Sequence, residues 1–158
     1  MPDLLTLRGR NALSEFRLKK LTQALKRTAP AITAMGVKAV LQGLTTCIGE
    51  LVDYDLNRIT PEVICTAGRQ GDAVALDILD RTGSYLGIGI ANILVSLTPE
   101  IVVIAGGVSR AFDLLQASIQ REISNRVFVT SLKDVKIVPA ALGNQAGVIG
   151  VAVWVSQA

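Results

Sequence analysis

The residues in this sequence that are best suited to bind a ligand form one short turn. A run of four apolar residues, 101–104, leads into Gly106 and Gly107, and Ser109 follows before an amphipathic pattern. Glycines let the backbone approach a ligand closely, and the start of a helix offers free N–H groups and the positive end of its dipole. The pattern is typical of a turn that contacts a nucleotide. A plain strand-to-helix connection is the alternative, because such a turn cannot hold a phosphate without other groups.

Few other residues are suited to catalysis or to metal binding. The sequence has no histidine, which is the commonest general base and the commonest metal ligand. Cys47 and Cys65 lie far apart without C-x-x-C spacing, so we interpret them as reduced, buried thiols and expect no zinc. Five aspartates each fit a turn, a helix cap or an exposed helix position better than a catalytic base. They are Asp53, Asp55, Asp72, Asp77 and Asp80.

Basic residues are concentrated between Arg8 and Arg27, where Glu15 is the one acidic residue. Two structures fit this pattern: a surface that faces nucleic acid, and the solvated face of an amphipathic helix. We favour the helix, because no aromatic or glycine element that would contact bases accompanies the charges. The sequence therefore offers no convincing nucleic-acid-binding motif.

Lys38 is the one charged residue in the segment 29–49, but the segment also contains proline, glycine and threonine. This composition favours buried helices over a membrane span, which needs about 20 mostly apolar residues. The first residues lack the apolar core of a signal peptide. We expect a cytoplasmic protein that does not bind a membrane.

A helix-rich α/β domain is predicted around the turn. The apolar run 101–105 predicts a strand that is buried on both faces, as in a parallel sheet, and a second buried strand is expected at 133–142. Thr60 followed by Pro61, Asp72 and Ser109 have the character of helix N-termini. The predicted helices are 12–28 capped by Asn11, an apolar pair within 29–49, a short one from Pro61, a long one after Asp72, one after Ser109, and one over 143–155. The glycines within 29–49 indicate either close packing or a break near Gly43.

Three glycines, Gly83, Gly87 and Gly89, lie inside the long helix predicted after Asp72. No strand precedes them, so a phosphate loop is disfavoured. Each costs up to about 1 kcal/mol relative to alanine in a helix interior. We predict that they let another helix or strand approach closely.

The sequence resembles the ROK family (repressors, open reading frames and sugar kinases) in three segments: "LDILDRTGSYLGIGIAN", "TPEIVVIAGGVSRA" and "VKIVPAALGNQAGVIGVAVWV". The resemblance extends from Asn57 to Val155, with several motifs in the family's order. It implies the actin-like, ribonuclease-H-like ATPase fold, of which this chain would form part of the C-terminal lobe. We expect a single domain over 1–158, in which 1–56 is a helical part of unclear origin and 57–158 is ROK-like.

The resemblance also implies a nucleotide site. In ROK kinases the nucleotide lies between two lobes, and the segment that is similar to residues 105–109 contacts its adenosine end. Ala105 stands where the family usually has the first of three glycines. The implied cofactor is ATP or ADP with Mg²⁺. The implied site residues are Ala105, Gly106, Gly107, Val108 and Ser109.

Several elements that ROK kinases use are absent from these 158 residues: the D-x-G-G-T phosphate motif, the aspartate of the sugar pocket, the zinc motif, the second phosphate loop and the three strands that open the lobe. Phosphoryl transfer depends on positioning and on charge stabilisation at the phosphates. We therefore expect a truncated ROK protein that is not catalytic by itself. Two alternatives stay open: the dimerisation and sugar-sensing part of a ROK transcriptional regulator, and a structural interaction module with no ligand.

The predicted sheet also points to an oligomer. Two parallel strands leave a sheet edge unpaired, and the apolar helices need partners as well. We expect a homo-oligomer, most simply a homodimer.

Overall fold

The structure, a computed structural model, describes residues 28–105, 107–128 and 135–141. The predicted helices 12–28 and 143–155 lie outside these ranges, except for Thr28. The described elements are α1 (Thr28–Leu41), α2 (Pro61–Arg69), α3 (Ala73–Leu97), β1 (Ile101–Ile104), α4 (Phe112–Arg126) and β2 (Lys136–Pro139). Short 3-10 turns occur at Glu50–Val52, Leu56–Arg58 and Gly107–Ala111.

The apolar segment after Thr28 forms one helix, α1, and then breaks. Gly43 has a φ of 68°, a left-handed conformation that glycine adopts without steric cost. The chain does break near Gly43. Turns over residues 42–49 replace the second helix expected within 29–49, and the first 3-10 helix begins after them, at Glu50. In the described ranges, no helix has the length and apolar character that crossing a membrane requires.

Helices α2 and α3 begin at the predicted caps. Thr60 Oγ1 accepts a hydrogen bond from the Val63 amide at 3.4 Å, and Pro61 occupies the first turn of α2. Asp72 Oδ1 accepts from the Ala75 amide at 2.8 Å at the start of α3. These bonds satisfy amides that have no partner inside the helix, which is why short polar residues start helices.

Helix α3 packs closely against α4, and two of its glycines lie at the contact. A Cβ added at Gly83 would lie 2.9 Å from the Leu115 carbonyl oxygen, and one added at Gly87 would lie 2.8 Å from the Ile119 carbonyl oxygen. The predicted close approach is confirmed at both positions. It is wrong for Gly89, where an added Cβ would meet nothing within 4 Å, because this residue lies on another side of the helix.

The sheet consists, in the described part of the chain, of β1 and β2 in parallel, with Ile101 opposite Lys136 and Ile104 opposite Pro139. Helix α4 forms the connection between them. The second strand is shorter than the predicted 133–142 segment, since the described residues that flank Lys136–Pro139 are not part of it. The prediction that it is buried is wrong: Lys136 and Pro139 are exposed, and Ile137 and Val138 are only partly buried, because the described sheet has just two strands.

The prediction that β1 is buried on both faces is wrong. Successive side chains of a strand point to opposite faces. Val102 and Ile104 pack against the helical core, whereas Ile101 and Val103 are 50% and 54% exposed. The described helices therefore bury one face of β1 and leave the other accessible.

Helix α4 starts later than predicted, and Ser109 is not its N-cap. Residues 107–111 form a 3-10 helix that contains Ser109, and the N-cap of α4 is Ala111, whose side chain offers no hydrogen-bond acceptor. The predicted apolar face is confirmed: Leu115, Ile119 and Ile123 are buried, and Phe112 packs against the core.

Substitution of Gly83 tests the contact between α3 and α4. We expect Gly83→Ala to lower the free energy of unfolding by about 1–3 kcal/mol, because the added methyl group must displace the Ser118 side chain and the α4 backbone. Gly89→Ala in the same helix is the matched control and should be neutral or stabilising by up to about 1 kcal/mol. Equal unfolding free energies of the two variants in urea would contradict the close contact.

Candidate functional site

The predicted ligand-binding turn connects β1 to α4 at the carboxyl end of the parallel strand pair. Ala105 directly follows β1 and is exposed, whereas Gly106 lies outside the described residues. Gly107, Val108 and Ser109 belong to the 3-10 helix that precedes α4. In open α/β sheets, ligands bind in the crevice outside the carboxyl ends of the strands. The turn therefore lies at the edge where such a fold places a ligand.

The β1 end of this turn is attached to the segment after β2. The Ala140 amide donates a hydrogen bond to the Ile104 carbonyl oxygen at 2.8 Å, one residue before the turn begins. This bond continues the pairing between β1 and β2 past the last paired residues. The turn and the start of the segment after β2 consequently lie side by side.

The α4 end of the turn is attached to α2 through Arg69. Arg69 lies in the last turn of α2, and its Nη2 donates to the Arg110 carbonyl oxygen at 2.7 Å. The same nitrogen contacts Asp113 Oδ1 at 3.0 Å, and Nε contacts Asp113 Oδ2 at 3.3 Å. One guanidinium thus binds the backbone of the 3-10 helix and a carboxylate in the first turn of α4.

The charge of Asp113 is stabilised in this arrangement. Hydrogen bonds from Arg69 hold the pKa of Asp113 below its ordinary value, and the charge of Arg69 acts in the same direction. The N-terminal end of a helix also favours a negative charge. Both side chains are about half exposed, at 48% and 59%, so their direct contribution to stability is small. Their effect is on the geometry of the turn.

Asp72 and Cys47 form a second polar cluster, away from the turn. Besides capping α3, Asp72 accepts a hydrogen bond from the Cys47 amide at 2.7 Å. Burial raises the pKa of Asp72, but hydrogen bonds from Ala75, Cys47 and Thr46 outweigh burial and leave the pKa below its ordinary value. Burial, together with the neighbouring Asp72, raises the pKa of the Cys47 thiol. This cluster ties the loop at Cys47 to the start of α3.

The remaining candidate aspartates lie in turns or at exposed helix positions, as predicted. Asp55 accepts from the Asn57 amide at 3.0 Å in the 3-10 turn Leu56–Arg58. The others form exposed ion pairs: Asp53 with Arg58, Asp77 with Arg81, and Asp80 with Arg121. The described ranges hold no group of three or more cysteine, aspartate or glutamate side chains that could bind a metal ion. Cys47 and Cys65 are both free thiols; Cys65 is buried as predicted, whereas Cys47 is only partly buried, because it lies in a turn.

An open groove of about 200 Å³ lies between α1 and α3, separate from the turn. Met35 and Ile78 contribute its apolar lining, and Lys38 lies at its rim. The Asp77–Arg81 ion pair also lines the groove, so these two charges already have partners. The groove supplies no unpaired carboxylate for catalysis among its described residues.

Sequence reasoning missed Arg69. A basic residue in the last turn of a helix is favourable by itself, because it lies at the negative end of the helix dipole, so its presence there signals nothing more. Its partners Arg110 and Asp113 lie 41 and 44 residues further along the chain. No short-range spacing rule connects positions that far apart.

Comparisons with known proteins agree on one family. A sequence model of the ROK family matches residues 31–158, so the match begins before Asn57 and includes most of α1. A glucokinase from Halalkalibacterium halodurans is 38% identical over 100 residues, which are 63% of this chain and 30% of that protein. A xylose repressor from Bacillus spizizenii is 27% identical over 93 residues, 59% of this chain and 24% of that protein. The chain spans less than a third of either relative.

A solved structure shares the fold. A ROK family glucokinase from Streptomyces griseus, in complex with glucose and AMPPNP, superposes with a TM-score of 0.69 at 23% sequence identity. The superposition covers 85% of this chain and 45% of that chain. The described helices and strands therefore form part of the actin-like ATPase fold, as predicted.

Asp72 offers a test of the cluster at the start of α3. We expect Asp72→Ala to lower the free energy of unfolding by about 1–2 kcal/mol at pH 7, because the Ala75 and Cys47 amides both lose their acceptor. Since folding lowers the pKa of Asp72, its contribution is complete above the unfolded pKa of about 3.9 and is lost as the pH falls through the folded value.

The matched control is Asp55→Ala, which removes an exposed acceptor from a single 3-10 turn and should change stability by less than about 0.5 kcal/mol. Urea unfolding of the three proteins between pH 3 and 7 gives the comparison. If the difference in unfolding free energy between the wild type and Asp72→Ala is the same at every pH, the role of the ionised carboxylate is contradicted.

Proposed function

Because this chain belongs to the ROK family, we propose that it forms the nucleotide-facing part of a sugar-kinase-like C-terminal lobe, and that ATP or ADP contacts the turn at residues 105–109. The supporting observation is the position of this turn. It follows β1 at the carboxyl edge of the parallel pair and is tied to the fold on both sides, by the Ala140 amide and by Arg69. A turn held in this way presents a constant backbone surface to a ligand.

The described residues fit an adenine nucleotide better than a metal ion. Ala105 is exposed beside the 3-10 helix, and its methyl side chain is small enough to leave room for a flat ring against the backbone. Mg²⁺ binds nucleotides largely through phosphate oxygens and water. We therefore expect Mg²⁺ to come with the phosphates, since no acidic cluster is present in the described ranges.

Nucleotide binding without phosphoryl transfer is the activity we propose for these 158 residues. The sequence contains no D-x-G-G-T motif. In the described ranges every aspartate named as a candidate base has a structural partner, so none is poised to deprotonate a sugar hydroxyl. What this chain supplies is the surface for one end of the nucleotide.

A ROK transcriptional regulator is the second candidate source of this chain. The similarity to the xylose repressor of Bacillus spizizenii favours it. In that role the same fold would sense a sugar and form a dimer, and the turn at 105–109 would serve as a strand-to-helix connection. A stabilising effect of xylose or glucose in the absence of any effect of ATP would favour this candidate.

We also propose a homodimer. The accessible face of β1 exposes Ile101 and Val103, and Phe128, just after α4, is 85% exposed. Large apolar side chains that share a strand face favour burial against another surface. We propose a second copy of the chain as the partner, because each copy carries the same exposed apolar face.

A thermal shift experiment tests nucleotide binding. We expect ATP or ADP with Mg²⁺ to raise the melting temperature, because a ligand at 100 times its Kd stabilises the native state by about 2.7 kcal/mol. Gly107→Leu should abolish the shift, since its side chain would fill the space against the 3-10 backbone. Gly89→Ala, at an open helix position, should keep it. A wild type with an unchanged melting temperature at millimolar ATP would overturn the proposal.

Light scattering tests the dimer. We expect twice the chain mass of 16.7 kDa for the wild type. Val103→Glu should shift the protein to the single mass, because it places a charge on the accessible face of β1. The control is Arg81→Glu on the exposed side of α3, which should leave the mass unchanged. A wild type at the single mass at micromolar concentration would refute the dimer.

A further inference from the structure

Arg69 connects three elements that the chain order keeps apart. It lies in the last turn of α2, whereas Arg110 is in the 3-10 helix after β1 and Asp113 is in the first turn of α4. The guanidinium group is planar and its N–H donors have a fixed relative geometry. When one such group binds a carbonyl oxygen at 2.7 Å and a carboxylate at 3.0 Å, it fixes the two acceptors relative to each other.

The start of α4 needs a support of this kind. Helices α2 and α3 begin at Thr60 and Asp72, whose own side chains accept hydrogen bonds from the first turn. Helix α4 begins at Ala111, which has no such acceptor. Ala111 is nevertheless buried, so the passage from the 3-10 helix into α4 is packed against the core. In α2 and α3 the N-cap side chain holds the first turn of its own helix. At the start of α4 the side chain of Arg69, which belongs to α2, holds the backbone instead.

We propose that Arg69 is the positioning residue of the 107–111 segment, and that it maintains the backbone shape which the nucleotide contacts. Its effect on ligand binding rests on the nucleotide site proposed above. The Ala140 amide restrains the other end of the turn at Ile104, so loss of the Arg69 contacts would weaken the restraint at the α4 end and leave the β1 end unchanged.

Arg69 acts through the protein and not through the ligand. Nη2 is already engaged by Arg110 and Asp113, and Nε by Asp113. The charge of the guanidinium is balanced by the Asp113 carboxylate at 3.0 Å, so little of it remains to attract a phosphate. A variant that keeps the charge but loses the planar geometry should therefore restore binding only in part.

The test compares Arg69→Gln and Arg69→Lys with the control Arg121→Gln. Arg121 forms the same kind of half-exposed pair, with Asp80 at 2.8 Å, and also bonds Ser84 Oγ at 3.1 Å. It bridges α3 and α4, and these hydrogen bonds go to Asp80 and Ser84, not to the 107–111 segment. Two quantities are measured: the order parameters of the 107–111 amides by ¹⁵N relaxation without nucleotide, and the Kd of ATP with Mg²⁺ by calorimetry.

We expect Arg69→Gln to lower the order parameters of residues 107–111 from about 0.85 towards 0.6, with α3 unchanged. The Kd of ATP should rise about three- to tenfold, which corresponds to the loss of a hydrogen bond of ordinary strength. Arg69→Lys should give intermediate values. Arg121→Gln should leave both quantities at their wild-type values.

Asp113→Asn separates the carbonyl contact from the ion pair. It removes the charge partner but leaves Arg69 able to donate to the Arg110 carbonyl oxygen. We expect smaller changes in the 107–111 order parameters than for Arg69→Gln. If Asp113→Asn disturbs this segment as much as Arg69→Gln does, the carbonyl contact has no separate role and the inference is wrong.

The two measurements, order parameters and the Kd of ATP, test this inference and the nucleotide proposal separately. Unchanged order parameters in Arg69→Gln, or equal changes in Arg121→Gln, would overturn the positioning role whatever the Kd. A wild type that does not bind ATP would contradict the proposed function, and the relaxation measurement would still decide whether Arg69 orders the segment. Reduced order with an unchanged Kd would overturn the link from this residue to ligand binding.

Discussion

Helices α3 and α4 meet at two glycines of α3 where even a methyl group would collide with α4, and the rest of the described fold depends on this contact. Gly83 and Gly87 face the carbonyl oxygens of α4 at distances that exclude a methyl group. Helix α4 also connects β1 to β2, so its distance from α3 sets where the parallel strand pair lies against the core. The turn between β1 and α4 inherits its position from the same contact.

The turn gains its shape from partners distant in sequence. The Ala140 amide restrains it at the β1 end, and Arg69 restrains it at the α4 end. The carboxylates outside this region cap helices or form exposed ion pairs, as Asp72 and Asp80 do. The role we propose for the turn is therefore binding of a ligand by its backbone, and not acid–base catalysis.

Local features could be predicted from the sequence, and features set by distant packing could not. The caps Thr60 and Asp72 depend on residues within three positions, so the pattern identifies them. Gly83 and Gly87 are four positions apart and share a helix face, whereas Gly89, two positions further on, lies on another face; the packing of the helix against its neighbours decides which face makes the contact. The half-exposed β1 and the bond from Arg69 to Arg110 likewise depend on which elements meet across the fold.

An NMR titration of the ¹⁵N-labelled chain with ATP and Mg²⁺ tests the central claim most directly, because it reports each backbone amide separately. If the turn is a nucleotide surface, saturable shifts will concentrate in residues 105–111 and around Ala140, whose amide adjoins the turn. Amides near Asp72 and in the groove between α1 and α3 will change little. Saturable shifts confined to that groove, or no shifts at millimolar ATP, would contradict the claim that this turn contacts a nucleotide.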